Sequence, residues 1–136
     1  MGSFEKLSVG QSRAVSTVIS EERIVAFAAV SGDENPVHLD ETFAKGTVFG
    51  ERIAHGMLVA SLISAVLGNE LPGVGTIYLS QTLRFVKPVH IGDTITARVT
   101  ITSLRPDKRL VELETECIDQ NGDTVLSGVA VTKYPA

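Results

Sequence analysis

Cysteine is almost absent from this sequence. Cys117 is the only one, so no disulfide can form within the chain, and a lone thiol fits a reducing, cytoplasmic setting. It has no Cys or His neighbour at metal-ligand spacing and reads as a core residue. Basic charge is also in short supply: 12 Lys and Arg stand against 16 Asp and Glu, for a formal net charge of −4. No basic stripe offsets that balance, so a phosphate backbone would be repelled and nucleic acid drops out as a partner. Long apolar runs are missing too. The most apolar stretch, residues 57–67, falls far short of the ~20 residues a membrane helix needs, so no membrane partner is expected. Met1 to Val9 holds no apolar run and carries Glu5, which does not read as a secretory signal. No repeat and no linker breaks the chain, and one domain over residues 1–136 is expected. Gly73-Val74-Gly75 leads into a strand and lacks the strand–Gly loop–helix order of a phosphate loop. No cofactor and no metal are expected.

What is present is enough apolar material for a core, 43% of the chain. The β-branched run at 13–19 reads as a strand. Ser20 reads as an N-cap with Glu21 and Glu22 in the first turn, opening a short amphipathic helix over 21–30 with Ile24, Phe27 and Ala28 inward. From Gly32 to Arg52 the pattern breaks up into the longest irregular stretch, and loops of that length in a compact domain are usually functional. Residues 55–67 are apolar on nearly every side and predict a buried helix, with Gly68 and Asn69 as its stop. After Pro72-Gly73 the period becomes two. Residues 77–85, 94–102, 111–117 and 125–131 read as four antiparallel strands, with turns at Gly92-Asp93, Pro106-Asp107 and Asn121-Gly122. One strand before the helices and four after them give an α+β fold. An antiparallel sheet of about five strands wraps around a central buried helix, the hot-dog arrangement. Such a sheet leaves an edge, and pairing two copies edge to edge predicts a homodimer.

Chemistry-bearing residues concentrate in 31–64. Asp33 and His38 stand five apart across Pro36, which fixes its own φ and biases Asn35 to an extended form, so the chain bends between them. Histidine near its free pKa and a placed aspartate suit a base that deprotonates water and an acid that protonates a carbon beside a carbonyl. Asn35 is a candidate for orienting water or holding the histidine tautomer. The same residues are also ordinary turn formers. Asp40 reads as an N-cap or turn residue, and Glu34 as solvated. His55-Gly56-Met57 opens the buried helix, whose start offers unpaired N–H groups and partial positive charge. Gly56 permits close approach, either of a thioester oxygen or of a packed neighbour. Ser61 and Ser64 interrupt the helix, each either bonding back one turn or facing the site. Lys108 and Arg109 read as a solvated hairpin tip, and His90 as surface without a partner.

The run Ser31-Gly32-Asp33-Glu34-Asn35-Pro36-Val37-His38-Leu39-Asp40 resembles the signature of the (R)-specific enoyl-CoA hydratases, the MaoC-like branch of the hot-dog superfamily. The likeness continues through Phe43-Ala44, Ile53-Ala54-His55-Gly56-Met57-Leu58, Leu62-Ile63-Ser64, Phe85-Val86-Lys87-Pro88-Val89 and Gly92-Asp93. The resemblance implies that Asp33 and His38 form the catalytic pair and that Asn35 orders the loop. It further implies that the His55-Gly56 backbone holds the thioester oxygen and that Ser64 lies beside the site. It implies hydration of trans-2-enoyl-CoA to (R)-3-hydroxyacyl-CoA, often supplied to polyhydroxyalkanoate synthesis, by a homodimer that takes an acyl-CoA thioester. Two alternatives stay open. One is a dehydratase acting on acyl-carrier-protein or carboxylated CoA thioesters. The other is a non-catalytic acyl-CoA binder or thioesterase-like relative.

Overall fold

The computed structural model describes residues 3–136. A 3-10 turn at Phe4–Lys6 leads into strand β1 (Ser12–Val18), followed by helix α1 (Glu21–Ser31). Two short helices come next, α2 (Pro36–Leu39) and α3 (Glu41–Lys45), and then the long helix α4 (Gly56–Asn69). The remaining strands are β2 (Ile77–Gln81), β3 (Arg84–Phe85), β4 (Thr94–Arg105), β5 (Leu110–Ile118) and β6 (Thr124–Lys133). The sheet is antiparallel, in the order β1-β4-β5-β6-β2, with β3 also paired to β6. The fold is α+β, a hot-dog sheet carried around α4.

The two-residue periodicity of β4 and β5 translates directly into burial. Ile95, Ala97, Val99 and Ile101 on β4, and Val111, Leu113 and Cys117 on β5, are almost wholly shielded and meet Leu58, Val59, Leu62, Ile63, Val66 and Leu67 of α4. Burying such side chains contributes about 1.5–3 kcal/mol each relative to exposure. Cys117 sits inside this layer. Burial, with the Glu116 carboxylate beside it, pushes its thiol up to about 12, so it is a core residue and not a nucleophile.

The structure departs from the sequence reading in four places. First, residues 77–85 are two strands rather than one, giving six in all. Val129 N–H donates to Thr82 Oγ1 at 2.9 Å, so a side-chain oxygen stands where a ladder carbonyl would. Thr82 O presses so close to Gly128 that a Cβ there would lie 1.8 Å from it. Second, α4 is not buried all round. Met57, Ser61, Ser64 and Ala65 form an exposed flank, with Met57 56% exposed. Third, Arg109 is no solvated tip. It adopts φ 56°, donates to Pro135 O at 2.6 and 3.1 Å, and lies over the rings of Phe4 and Tyr134. Fourth, His90 has partners: its ring faces Glu51 at 3.5 Å and Asp93 at 4.0 Å.

The β5–β6 turn carries a staple. Lys87 Nζ reaches Asp119 at 3.2 Å and Asp123 at 2.7 Å. Burial alone would raise the Asp119 carboxyl, but N–H donors from Asp123 and Asn121 and the Lys87 ammonium outweigh it and hold it below its ordinary range. A depressed carboxyl contributes stability that is complete above its unfolded value and is lost as pH falls through the folded one.

Gly128→Ala is expected to destabilise by about 1–3 kcal/mol, because the backbone at Thr82 must move to admit one methyl. The urea midpoint should fall with the slope unchanged.

Candidate functional site

The site is built where α1 runs out. Gly32 takes the left-handed conformation at φ 81° and donates its N–H to Ala28 O at 2.9 Å, closing the helix in a way that favours glycine. Ser31 Oγ donates to Phe27 O at 2.6 Å and accepts from Asp33 N at 3.1 Å. Asp33 Oδ1 accepts from Asn35 N, and Asn35 Oδ1 from Val37 N, both at 3.2 Å. These are two successive Asx turns. Pro36 occupies the first turn of α2, where its missing N–H costs nothing. His38 therefore lies one short helix beyond Asp33. Asp40 caps α3 through Phe43 N at 3.1 Å, as a capping residue would.

A second segment, 52–55, is stitched to this one. Ile53 N–H donates to Val37 O at 3.3 Å. His38 Nδ1 lies 2.8 Å from Ile53 O, and His55 Nε2 lies 2.9 Å from Asp33 O. Carbonyl oxygens only accept, so Nδ1 of His38 and Nε2 of His55 carry the protons. The nitrogen of His38 left without a carbonyl partner is thus Nε2. Arg52 Nε donates to His38 O at 2.8 Å, and its Nη1 pairs with Glu21 Oε1 at 2.7 Å. The two imidazoles stack at 3.9 Å and 28°, and the Phe27 ring lies 4.9 Å from His55, tilted by 55°.

Asp33, His38 and His55 each offer a donor atom within 4.8 Å of the others. By distance the three are a possible cation cluster. By direction they are poor, since stacked rings run their in-plane lone pairs side by side, whereas two imidazoles on one ion aim at a common point about 2.0–2.1 Å from each nitrogen.

A cavity of about 540 Å³ opens against these groups. Asp33, His55 and Gly56 line it together with apolar side chains that include Phe49, Phe85 and Val125. Such a volume and apolar lining are typical of small-ligand sites. Helix α4 starts at its wall. No side chain caps it, and His55 O already takes the N–H groups of Leu58 and Val59. The first-turn N–H groups of Gly56 and Met57 are thus left without a side-chain partner beside the cavity, at the positive end of a 14-residue helix.

The predicted residues do not all converge. Asp33, His38, His55 and Gly56 come together. Asn35 acts on the loop backbone through its cap, while the His38 tautomer is held by Ile53 O instead. His55 is 2% exposed, and the polar contact of its imidazole is with Asp33 O. His38, 8% exposed, is not on the cavity wall of the single chain. Ser61 bonds back to Leu58 O at 2.6 Å. Ser64 lies two turns along the exposed flank, about 12 Å of helix rise from Gly56. Gly56 has a close neighbour of its own: a Cβ there would come within 2.7 Å of the Phe85 ring. Arg52, Ile53, Phe27 and Phe85 went unread as site residues. A carbonyl acceptor has no side-chain signature, and the Arg52 and Phe27 contacts join segments far apart in sequence.

Comparison with known proteins places these residues in a family. The model described as MaoC like domain matches residues 5–121. A curated (R)-specific enoyl-CoA hydratase of Rhodospirillum rubrum is 50% identical over 98% of this chain and 92% of its own length. A 3-hydroxybutyryl-CoA dehydratase of Methylorubrum extorquens is 47% identical over 97% of this chain and 83% of its own. Among solved structures, the (R)-hydratase from A. caviae involved in PHA biosynthesis superposes with a TM-score of 0.94 at 47% identity. That match covers 96% of this chain and 99% of the other.

The contacts of Arg52 differ in weight. Its guanidinium is shielded where it meets His38 O, but Glu21 is 57% exposed. Arg52→Ala should therefore cost about 1.5–3 kcal/mol, whereas Glu21→Ala should cost under about 1 kcal/mol. Urea denaturation of the two variants side by side measures the difference.

Proposed function

Because the chain belongs to the MaoC-like domain family, we propose that it hydrates trans-2-enoyl-CoA to (R)-3-hydroxyacyl-CoA, with Asp33 and His38 as the acid–base pair. The observation that carries this reading is the meeting of a carboxylate and an imidazole, within 4.8 Å, beside a cavity-lining helix start with no side-chain cap. The names and closeness of the hydratase relatives support it. Residues 1–136 act as one catalytic unit.

In the proposed reaction, water is held between the Asp33 carboxylate and the His38 Nε2 lone pair. His38 takes a proton as the oxygen adds to C3 of the enoyl group. The π electrons pass through C2 to the thioester oxygen, where charge develops. The N–H groups at Gly56 are placed to stabilise it, and such donors aimed at developing charge are often the largest single contribution to rate. The charge then returns to C2, which takes from the His38 imidazolium the proton that water gave up, so the histidine ends neutral, and Asp33 stays a carboxylate that holds the water throughout. Asn35 serves by ordering the loop. Ser64 is assigned to the flank of the same site, where a longer acyl chain would pass.

The partner we propose is a second copy. Strand β2 is a free edge, and Ile77, Tyr78 and Leu79 on it are each between 40% and 52% exposed. Phe85, Val86 and Met57, each more than half exposed, add to the apolar surface left uncovered in a single chain. An unprotected apolar edge of this kind invites antiparallel pairing.

Loss of the enoyl absorbance of crotonyl-CoA tests the reaction, with coupling to (R)- and (S)-specific 3-hydroxyacyl-CoA dehydrogenases to read the chirality. Rapid loss with (R) product is expected. Inertness on crotonyl and longer enoyl-CoAs would move the assignment to a carrier-protein or carboxylated substrate. Asp33→Asn and His38→Ala should each lower turnover by about 10²–10⁴-fold with the circular dichroism unchanged. Near-normal rates in both would remove the pair. Sedimentation equilibrium should give a dimer, and Leu79→Asp should shift it towards monomer; a wild-type monomer would sink the edge-pairing idea.

A further inference from the structure

His55 is the most heavily invested side chain near the cavity that the proposed chemistry does not use. Its Nε2–H holds Asp33 O at 2.9 Å, its ring stacks on His38 at 3.9 Å, and the tilted ring of Phe27 lies 4.9 Å from it. Its Nδ1 is buried with no partner, the one such side-chain atom among the described residues. That orphan is informative. A ring kept only to fill the space between Phe27 and His38 would be a phenyl, which packs as well and buries no bare nitrogen. Glutamine or asparagine would supply an N–H without the flat platform. Histidine alone among these combines a ring with a donor at its far end.

We infer, resting on the hydratase reading above, that His55 is a positioning residue that sets Asp33 and His38 relative to each other. It anchors the Asp33 peptide through Nε2–H and seats the His38 ring by stacking. It touches no reacting atom. Asp33 is exposed, and its own carboxylate is held by only one short-range contact, Asn35 N at 3.2 Å. Among the described residues, the carbonyl anchor is the one hydrogen bond from Asp33 to the segment that also holds His38 Nδ1.

The test sets stability against turnover. His55→Phe keeps the ring, deletes the donor and removes the orphaned nitrogen. It should melt no lower than wild type, yet lose about 10–100-fold in kcat with KM little changed, the penalty typical of a displaced catalytic group. His55→Gln restores the donor without the ring and should recover part of the lost kcat. Wild-type kcat in His55→Phe overturns the proposal. So does a rise in KM alone, or a loss of kcat in both variants that tracks lost stability. Two readouts do not need turnover. Nitrogen-15 spectra of the wild-type imidazoles should show His55 protonated at Nε2, and protonation at Nδ1 overturns the anchor even if His55→Phe does not fold. A crystal structure of His55→Phe should show Asp33 displaced, and an unmoved Asp33 overturns the role. If wild type hydrates no enoyl-CoA, the hydratase reading fails, while the spectra and the crystal structure still decide the part played by His55.

Discussion

A peptide carbonyl can accept a hydrogen bond but never donate one, and two such carbonyls organise this molecule's site. Ile53 O forces the proton of His38 onto Nδ1, and Asp33 O forces that of His55 onto Nε2. The exchange is reciprocal, because each of the two segments supplies one carbonyl and one imidazole. Everything nearby serves to bring those segments into register. The left-handed Gly32 ends α1 at the right residue, the Asx turns at Asp33 and Asn35 advance the chain to α2, and Arg52 ties the return segment to His38 O.

The packing of the domain explains why this register holds. Helix α4 is pinned by its buried side against β4 and β5, so its first turn is fixed in space. Ala54 N–H bonds to Val89 O at 2.7 Å, and Ile53 forms an isolated bridge with His90. The return segment is thereby tied to the chain just ahead of β4. The polar shortfalls of the structure gather at the same spot: an uncapped helix start and an orphaned ring nitrogen. The starts of α1 and α3, by contrast, are capped by Ser20 and Asp40. Departures from local consistency cluster where a protein works on something other than itself.

Much of this was legible in the amino-acid order, for identifiable reasons. Alternation along β4 and β5 is readable because each strand buries one face, whereas β6 buries Val125 and Leu126 in succession and turns Val129 outward. The caps at Ser20 and Asp40 are readable because they act within three residues. The bend that joins Asp33 to His38 is signalled by Pro36. What stayed hidden depends on distant neighbours. Thr82 meets Gly128 across the sheet, Arg109 folds onto Phe4, Tyr134 and Pro135, and the exposed flank of α4 is marked in sequence by Ser61 and Ser64 alone. Ile53 acts through its own carbonyl, and the Arg52 guanidinium acts on a carbonyl fourteen residues away, and a carbonyl target leaves no trace in residue type.

One close approach reaches further than its size suggests. The Phe85 ring lies where any side chain at position 56 would have to grow, although the two residues stand 29 positions apart on different elements. The helix start can be shielded by an aromatic plate only while position 56 carries hydrogen alone, and the plate can be that large only on the same condition. Position 56 is therefore not free to grow while that ring keeps its place. A side chain at 56 obliges the ring at 85 to move or shrink, so the effect of a substitution at 56 depends on which residue stands at 85.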